Sequence, residues 1–185
     1  LFNGNGYSEE WPREAARRGL LNLPTTVDAL PYYVAPKNIA LFERHKIFTA
    51  AELRGRYEIL LENYNNVNSI EAYTMLSIVR KQILPSVMEY TRFLSETISA
   101  KKAAVASIDT SCEEDLLIQL QDIYVRAYHK TKKLSDAMEE SGKEDKQQEA
   151  YYFKEVVLPL MEDLRVDCDL LETFVAKEFW KFPTY

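Results

Sequence analysis

From Thr49 onward, apolar residues recur every three or four positions, the spacing that lines one face of an α-helix. Leu53, Tyr57, Leu60, Leu61 and Tyr64 carry the first such face. Ile70, Tyr73, Leu76, Val79, Ile83, Val87, Tyr90, Leu94 and Ile98 carry a second for about eight turns. Between them, Asn63 to Ser69 is rich in Asn, whose side chain competes for backbone hydrogen bonds, so a break or bend is expected there. Leu117, Leu120, Tyr124, Ala127, Leu134 and Met138 carry a third stripe, which stops at Gly142. Phe153, Val157, Leu160, Leu164, Cys168, Leu171, Val175 and Phe179 carry a fourth. Thr49-Ala50-Ala51-Glu52 and Ser111-Cys112-Glu113-Glu114 read as capping boxes, in which hydroxyl and carboxylate each satisfy a free N–H of a first turn.

The first 48 residues are different in kind. Five of the seven prolines (Pro12, Pro24, Pro31, Pro36 and Pro183) lie outside the long periodic segments, and only Pro85 and Pro159 lie inside them. Short helices joined by tight turns are expected here. Ser8 is placed to cap Glu9 to Arg18, with Gly19 at the left-handed position after the helix. A short turn follows Thr26, and Pro36 opens a helix running to about His45. No alternating run is long enough for a sheet. The expected class is therefore all-α: a long antiparallel up-down helical bundle over 49–185, preceded by short helices and turns over 1–48. Pro85 and Pro159 are expected to kink their helices at the same height, since each removes one backbone donor.

Charge narrows the partners. With 23 Lys and Arg against 29 Asp and Glu, the net charge is −6, which provides no positive field for nucleic acid or an anionic membrane. Apolar runs fall far short of the roughly 20 residues that span a bilayer. Two cysteines make no disulfide framework, and a hairpin near Lys143 places Cys112 and Cys168 out of reach of each other. Two free thiols in a reducing, cytoplasmic setting are expected. Neither His45 nor His129 has the Glu three residues earlier that a carboxylate-bridged metal site in a bundle requires. The twelve tyrosines read as core rings whose hydroxyls reach the rim, and Lys101-Lys102 and Lys130 to Lys133 as solvated basic faces. Phe2 to Tyr7 lacks the Lys-Ser/Thr and the preceding strand of a phosphate loop. No catalytic, cofactor-binding or metal-binding residue is assigned. The opening residues have neither an initiator Met nor a signal-peptide pattern, so the chain reads as a piece of something longer.

Phe2-Asn3-Gly4-Asn5-Gly6-Tyr7-Ser8-Glu9-Glu10-Trp11, Ala15-Ala16-Arg17-Arg18-Gly19-Leu20, Leu23-Pro24-Thr25-Thr26 and Ala29-Leu30-Pro31 resemble the segment that follows the catalytic domain in type III glutamine synthetases. Arg56-Tyr57-Glu58, Ile70-Glu71-Ala72, Gln82-Ile83-Leu84-Pro85 and Trp180 to Tyr185 resemble the C-terminal region of the same family. The resemblance implies a parent enzyme that joins ammonia to glutamate with ATP, through a γ-glutamyl phosphate held between divalent metal ions (Mg or Mn). It also implies a ring-shaped homo-oligomer, in which this region packs on an upstream catalytic domain and on neighbouring subunits. The metal and substrate ligands would lie upstream, leaving this fragment structural and inert by itself. The rival from another class is a free-standing helical module whose groove binds a partner helix. A small bundle enzyme is a third reading, weakened by the lack of a nucleophile–base pair. The apolar ends, Phe2, Tyr7 and Trp11 on one side and Trp180, Phe182 and Tyr185 on the other, are expected to rest on the catalytic domain rather than on the bundle.

Overall fold

Helix signals dominate the sequence, and the computed structural model, which describes residues 4–183, is helical with no strand among the described residues. Phe2, Asn3 and Tyr185 lie outside that range. The helices are α1 (Glu10–Arg17), α2 (Thr26–Tyr33), α3 (Pro36–Arg44), α4 (Ala50–Ile78), α5 (Leu84–Ala104), α6 (Ser111–Glu139), α7 (Lys146–Tyr152) and α8 (Leu158–Phe174). A π-helical turn, Val79–Ile83, joins α4 to α5, and a second, Phe153–Val157, joins α7 to α8. The chain separates into two compact units, Leu1–Tyr64 and Asn65–Tyr185, with the division falling inside α4.

In the first unit, local chemistry sets each helix end. After α1, Gly19 adopts φ 73°, while Leu20 N–H bonds the Ala15 carbonyl at 2.9 Å and Gly19 N–H bonds that of Ala16 at 3.0 Å. This is the Schellman closure, for which a residue without Cβ is suited. Ser8 does not cap α1 as expected. Its hydroxyl donates instead to the Asn5 carbonyl at 2.8 Å, within a turn closed by Ser8 N–H on the same oxygen. Thr25 caps α2 by accepting the Asp28 N–H, and Pro36 opens α3, which ends at Arg44. The Thr49 box forms reciprocally: Thr49 N–H donates to Glu52 Oε2 at 2.8 Å, and Glu52 N–H donates to Thr49 Oγ1 at 3.3 Å. Tyr33, Phe42 and Phe48 form a chain of ring contacts, and the Arg56 guanidinium lies 4.4 Å over the Phe48 ring. Val27, Leu30, Leu53 and Leu61 are buried in this unit.

The second unit buries the stripes of α6 and α8 much as their spacing dictates: Leu120, Ala127, Leu134 and Met138 on one, Leu164, Cys168 and Leu171 on the other. Polar links follow the seam. Tyr152 donates its hydroxyl to the Ala137 carbonyl, Lys130 meets Asp163, and Arg126 meets Asp167. Partners fall along α6 as they rise from α7 to α8, so these helices run in opposite senses. Asp145 caps α7 by accepting the N–H groups of Gln147 and Gln148.

Three expectations are corrected here. Asn63 to Ser69 neither breaks nor bends away from helix, because Asn65 is buried and spends its amide on tertiary acceptors, the Lys146 carbonyl at 3.0 Å and Glu149 at 2.9 Å. The buried face of α4 in this unit passes through Asn65, Asn68, Ala72 and Leu76, while Ile70 and Tyr73 are exposed. The Ser111 box does not form: Thr110 precedes the helix, its hydroxyl donates to Glu114 at 2.7 Å, and Ser111 N–H donates to Asp109. Pro159 borders a surface hollow together with Met75 of α4. Each proline occupies the first turn of the α segment that follows a π turn, where Leu84 N–H bonds the Val79 carbonyl and Leu158 N–H that of Phe153. The ladder is thus re-spaced at the missing donor.

Candidate functional site

Two features of the second unit could carry chemistry. The first is the ion-pair network between α6 and α8. The Asp167 side chain is 4% exposed, and its carboxylate takes Arg126 Nη2 at 2.9 Å on one oxygen and Lys130 Nζ at 2.8 Å on the other. Lys130 also reaches Asp163 at 2.8 Å. Burial alone would raise the Asp167 pKa, yet hydrogen bonds from Lys130 and Arg126 outweigh it and hold the carboxyl below the usual range. Burial likewise opposes the charge of Lys130, and Asp163 and Asp167 override it, so that its pKa is raised. Both groups stay ionised at neutral pH. The arrangement clamps two helices and offers no free base or acid.

The second is an apolar hollow of about 320 Å³. Its buried wall is built from Val79 and Ile83 of the first π turn, Cys168 of α8, and Trp180 from the segment after α8. Phe182 closes one side, and its more exposed edge carries Glu71, Arg165, Asp169 and Glu172. Arg165 Nε lies 3.3 Å from Asp169. The indole N–H of Trp180 is buried with no acceptor among the described residues. Burial pushes the Cys168 thiol up to about 12, with Asp169 and Asp167 adding to the effect, so sulfur here is a neutral apolar surface rather than a nucleophile.

The segment around Trp180 corrects the expectation that this end rests away from the bundle. Trp180 is buried, Phe179 packs on Tyr90 and Phe93 at 5.3 Å, and Lys181 pairs with Glu89 at 2.6 Å. At the other end, Tyr7 is exposed. The tyrosines are corrected too: none among the described residues is buried, so the rings line the rim rather than the core. Of the basic clusters, Lys101 pairs with Glu113 and Lys102 with Glu114 across the α5–α6 connection, and Lys130 pairs with Asp163 and Asp167. Cys112 is exposed, Cys168 buried, and both are free. Glu14 gathers Arg17 and Arg18, each at 2.6 Å, and their hydrogen bonds lower its pKa to about 2. Among the described residues no three or more His, Cys, Asp or Glu converge to hold a metal ion, and no helix is long and apolar enough to cross a membrane. The hollow escaped sequence reasoning because its walls come from three separate segments.

Residues 1–102 match the profile of the family described as glutamine synthetase C-terminal domain. The chain is similar to a glutamine synthetase of Butyrivibrio fibrisolvens, 38% identical over 189 residues, covering 100% of this chain and 27% of that protein. It is also similar to the type-3 glutamine synthetase of Dictyostelium discoideum, 29% identical over 192 residues, with 100% and 26% covered. A glutamine synthetase of Bacteroides fragilis (strain YCH46) is 29% identical over 194 residues, with the same coverage. The chain spans about a quarter of the length of these relatives.

Proposed function

Given that the chain belongs to the glutamine synthetase C-terminal domain family, we propose that it forms the helical C-terminal region of a type III glutamine synthetase and serves that enzyme's architecture rather than its chemistry. The observation that carries this reading is similarity along the whole chain to glutamine synthetases nearly four times as long. In the parent, ATP-dependent joining of ammonia to glutamate belongs to an upstream catalytic domain that holds the nucleotide and the divalent metal. The described residues of this chain do not fit such a metal site, and no step is routed through them. Residues 1–48 form the short-helix segment that follows the catalytic domain, and 49–185 form the bundle. The bundle packs on that domain and on neighbouring subunits of a ring-shaped homo-oligomer in the cytoplasm. Exposed apolar side chains on α6, Ile118, Val125 and Tyr128, support a role in packing. The family match favours this reading over a free-standing interaction module.

The test compares the intact parent with a version lacking 49–185, reading glutamine formation and assembly mass by native mass spectrometry. Loss of assembly is expected. A fully assembled, fully active parent without the region would overturn the architectural role, and turnover by the purified 185-residue chain would overturn its inertness.

A further inference from the structure

After α8 the chain leaves the helical ladder: Val175 is extended, and 176–182 turns back on itself, with Phe179 and Trp180 both donating N–H to the Ala176 carbonyl. Those backbone bonds are local, so they stay made whether or not the segment lies on the bundle. The ties across to α5 are of a weaker kind. Lys181 N–H reaches Ser86 Oγ at 3.2 Å, and Lys181 Nζ pairs with Glu89 through side chains 49% and 45% exposed, where an ion pair contributes little. Phe179 adds ring contacts with Tyr90 and Phe93, and Phe93 is itself exposed. Trp180 supplies the main apolar seat, but imperfectly. Its N–H is buried with no acceptor among the described residues, and water would take up that donor once the indole swung out. Trp180 and Phe182 border the hollow of about 320 Å³ over Val79, Ile83 and Cys168 rather than interlocking with that wall. The seam of α6 and α8 is unlike this, with Leu120, Leu134, Leu164 and Leu171 fully buried. Stability is therefore unevenly spread, and the segment after α8 sits at its low end.

We propose that 176–182 is a latch that swings off α5 and the hollow as a unit while α5, α6 and α8 stay folded, and that its position decides whether the Cys168 thiol meets solvent. Cys168 is buried and shares the hollow with Trp180 and Phe182, so a reagent bound for its sulfur passes the latch. Both polar ties, Ser86 and Glu89, stand three residues apart on α5, so the latch is released from one stretch of one helix. Opening breaks no bond within α6 or α8.

The test is maleimide labelling of the full 185-residue chain in urea below its unfolding transition, with Cys168 followed separately from Cys112 by peptide mass spectrometry. Reagent is kept where the rate stays first order in maleimide, so that the rate reports the open population. Labelling of Cys168 should rise with urea on a slope well below that of global unfolding by circular dichroism, because opening exposes far less surface than unfolding does. Ser86→Ala, which removes a tie of the latch, should speed labelling about fivefold. Asn65→Ala, which acts where α4 meets α7, should lower the global midpoint and leave labelling of Cys168 within about twofold. The urea slope is read on the unmodified chain, so the test does not depend on any variant folding. A slope equal to that of global unfolding, a rate indifferent to Ser86→Ala, or a rate that Asn65→Ala speeds as much as it favours global unfolding would each overturn the latch.

Discussion

Lys181 donates its backbone N–H to the hydroxyl of Ser86 at 3.2 Å, linking residues 95 positions apart, and Ser86 is fully buried. The bond fixes the segment that carries Trp180 against α5. Ending the chain after Lys177 removes a buried indole, and large aromatic deletions of that kind cost about 3–5 kcal/mol. The thermal midpoint, followed by circular dichroism, should fall by about 10 °C. Ser86→Ala, which strands one N–H, should cost about 1 kcal/mol. An unchanged midpoint in the truncated chain would return this end to the contact with the catalytic domain expected from sequence.

The Asp167 clamp predicts a pH signature. A carboxyl whose pKa is lower folded than unfolded contributes fully above the unfolded value, about 4, and loses that contribution as pH falls through the folded value. Lys130, whose pKa is raised, contributes fully below about 10 and loses its part only above that. Between these limits Asp167→Asn should destabilise by about 2 kcal/mol, less than a wholly buried pair because the Arg126 side chain is 50% exposed. Urea titrations from pH 7 to pH 2 should show the gap between parent and variant closing below about pH 4. A gap of constant size would mean that Asp167 acts through packing alone.

Thiol chemistry should separate the two cysteines. Cys112 is exposed, whereas Cys168 is buried and protonated at any physiological pH. Maleimide labelling of the native chain should stop at one group, vanish in Cys112→Ser, and reach two only in denaturant. Rapid labelling of Cys168 in the native state would show that α8 opens.

Asn65 should matter more than its surface-like residue type suggests. Its amide joins α4 to the start of α7 through the Lys146 carbonyl and Glu149. Asn65→Ala should cost about 2 kcal/mol, while Asn66→Ala, at an exposed position one residue on, should stay within about 0.5 kcal/mol. Equal effects would return the Asn-rich stretch to a purely local role.

The contrast between Asn65 and the α8 stripe shows what a sequence discloses. Leu164, Cys168 and Leu171 were legible because apolar burial repeats with the helix period and needs no knowledge of the partner. Asn65 and Asn68 were misread because Asn competes locally for backbone bonds, and only a tertiary acceptor removes that competition. Ile70 and Tyr73 drew the stripe toward themselves by hydrophobicity, while the buried seam used Ala72. The Thr49 box was legible because both partners lie within one turn. At Ser111 the same letters failed, since Thr110 and Asp109 stood closer to the free groups. The hollow was hidden altogether, for no local pattern brings Glu71, Cys168 and Trp180 together.

The two π turns act as phase adjusters. Each fits one extra residue into its helix, and one residue is about 100° of rotation. Deleting a single residue within Val79–Ile83 would therefore swing everything downstream in α5, including Val87 and Leu94, about a quarter turn away from its neighbours, although no side chain of that core had been altered. The same holds for Phe153–Val157 and the α8 seam. Chain length at these two points is as much a part of the fold's specification as residue identity, and a shortened variant would have to gain a residue within a few positions to bring its buried face back into line.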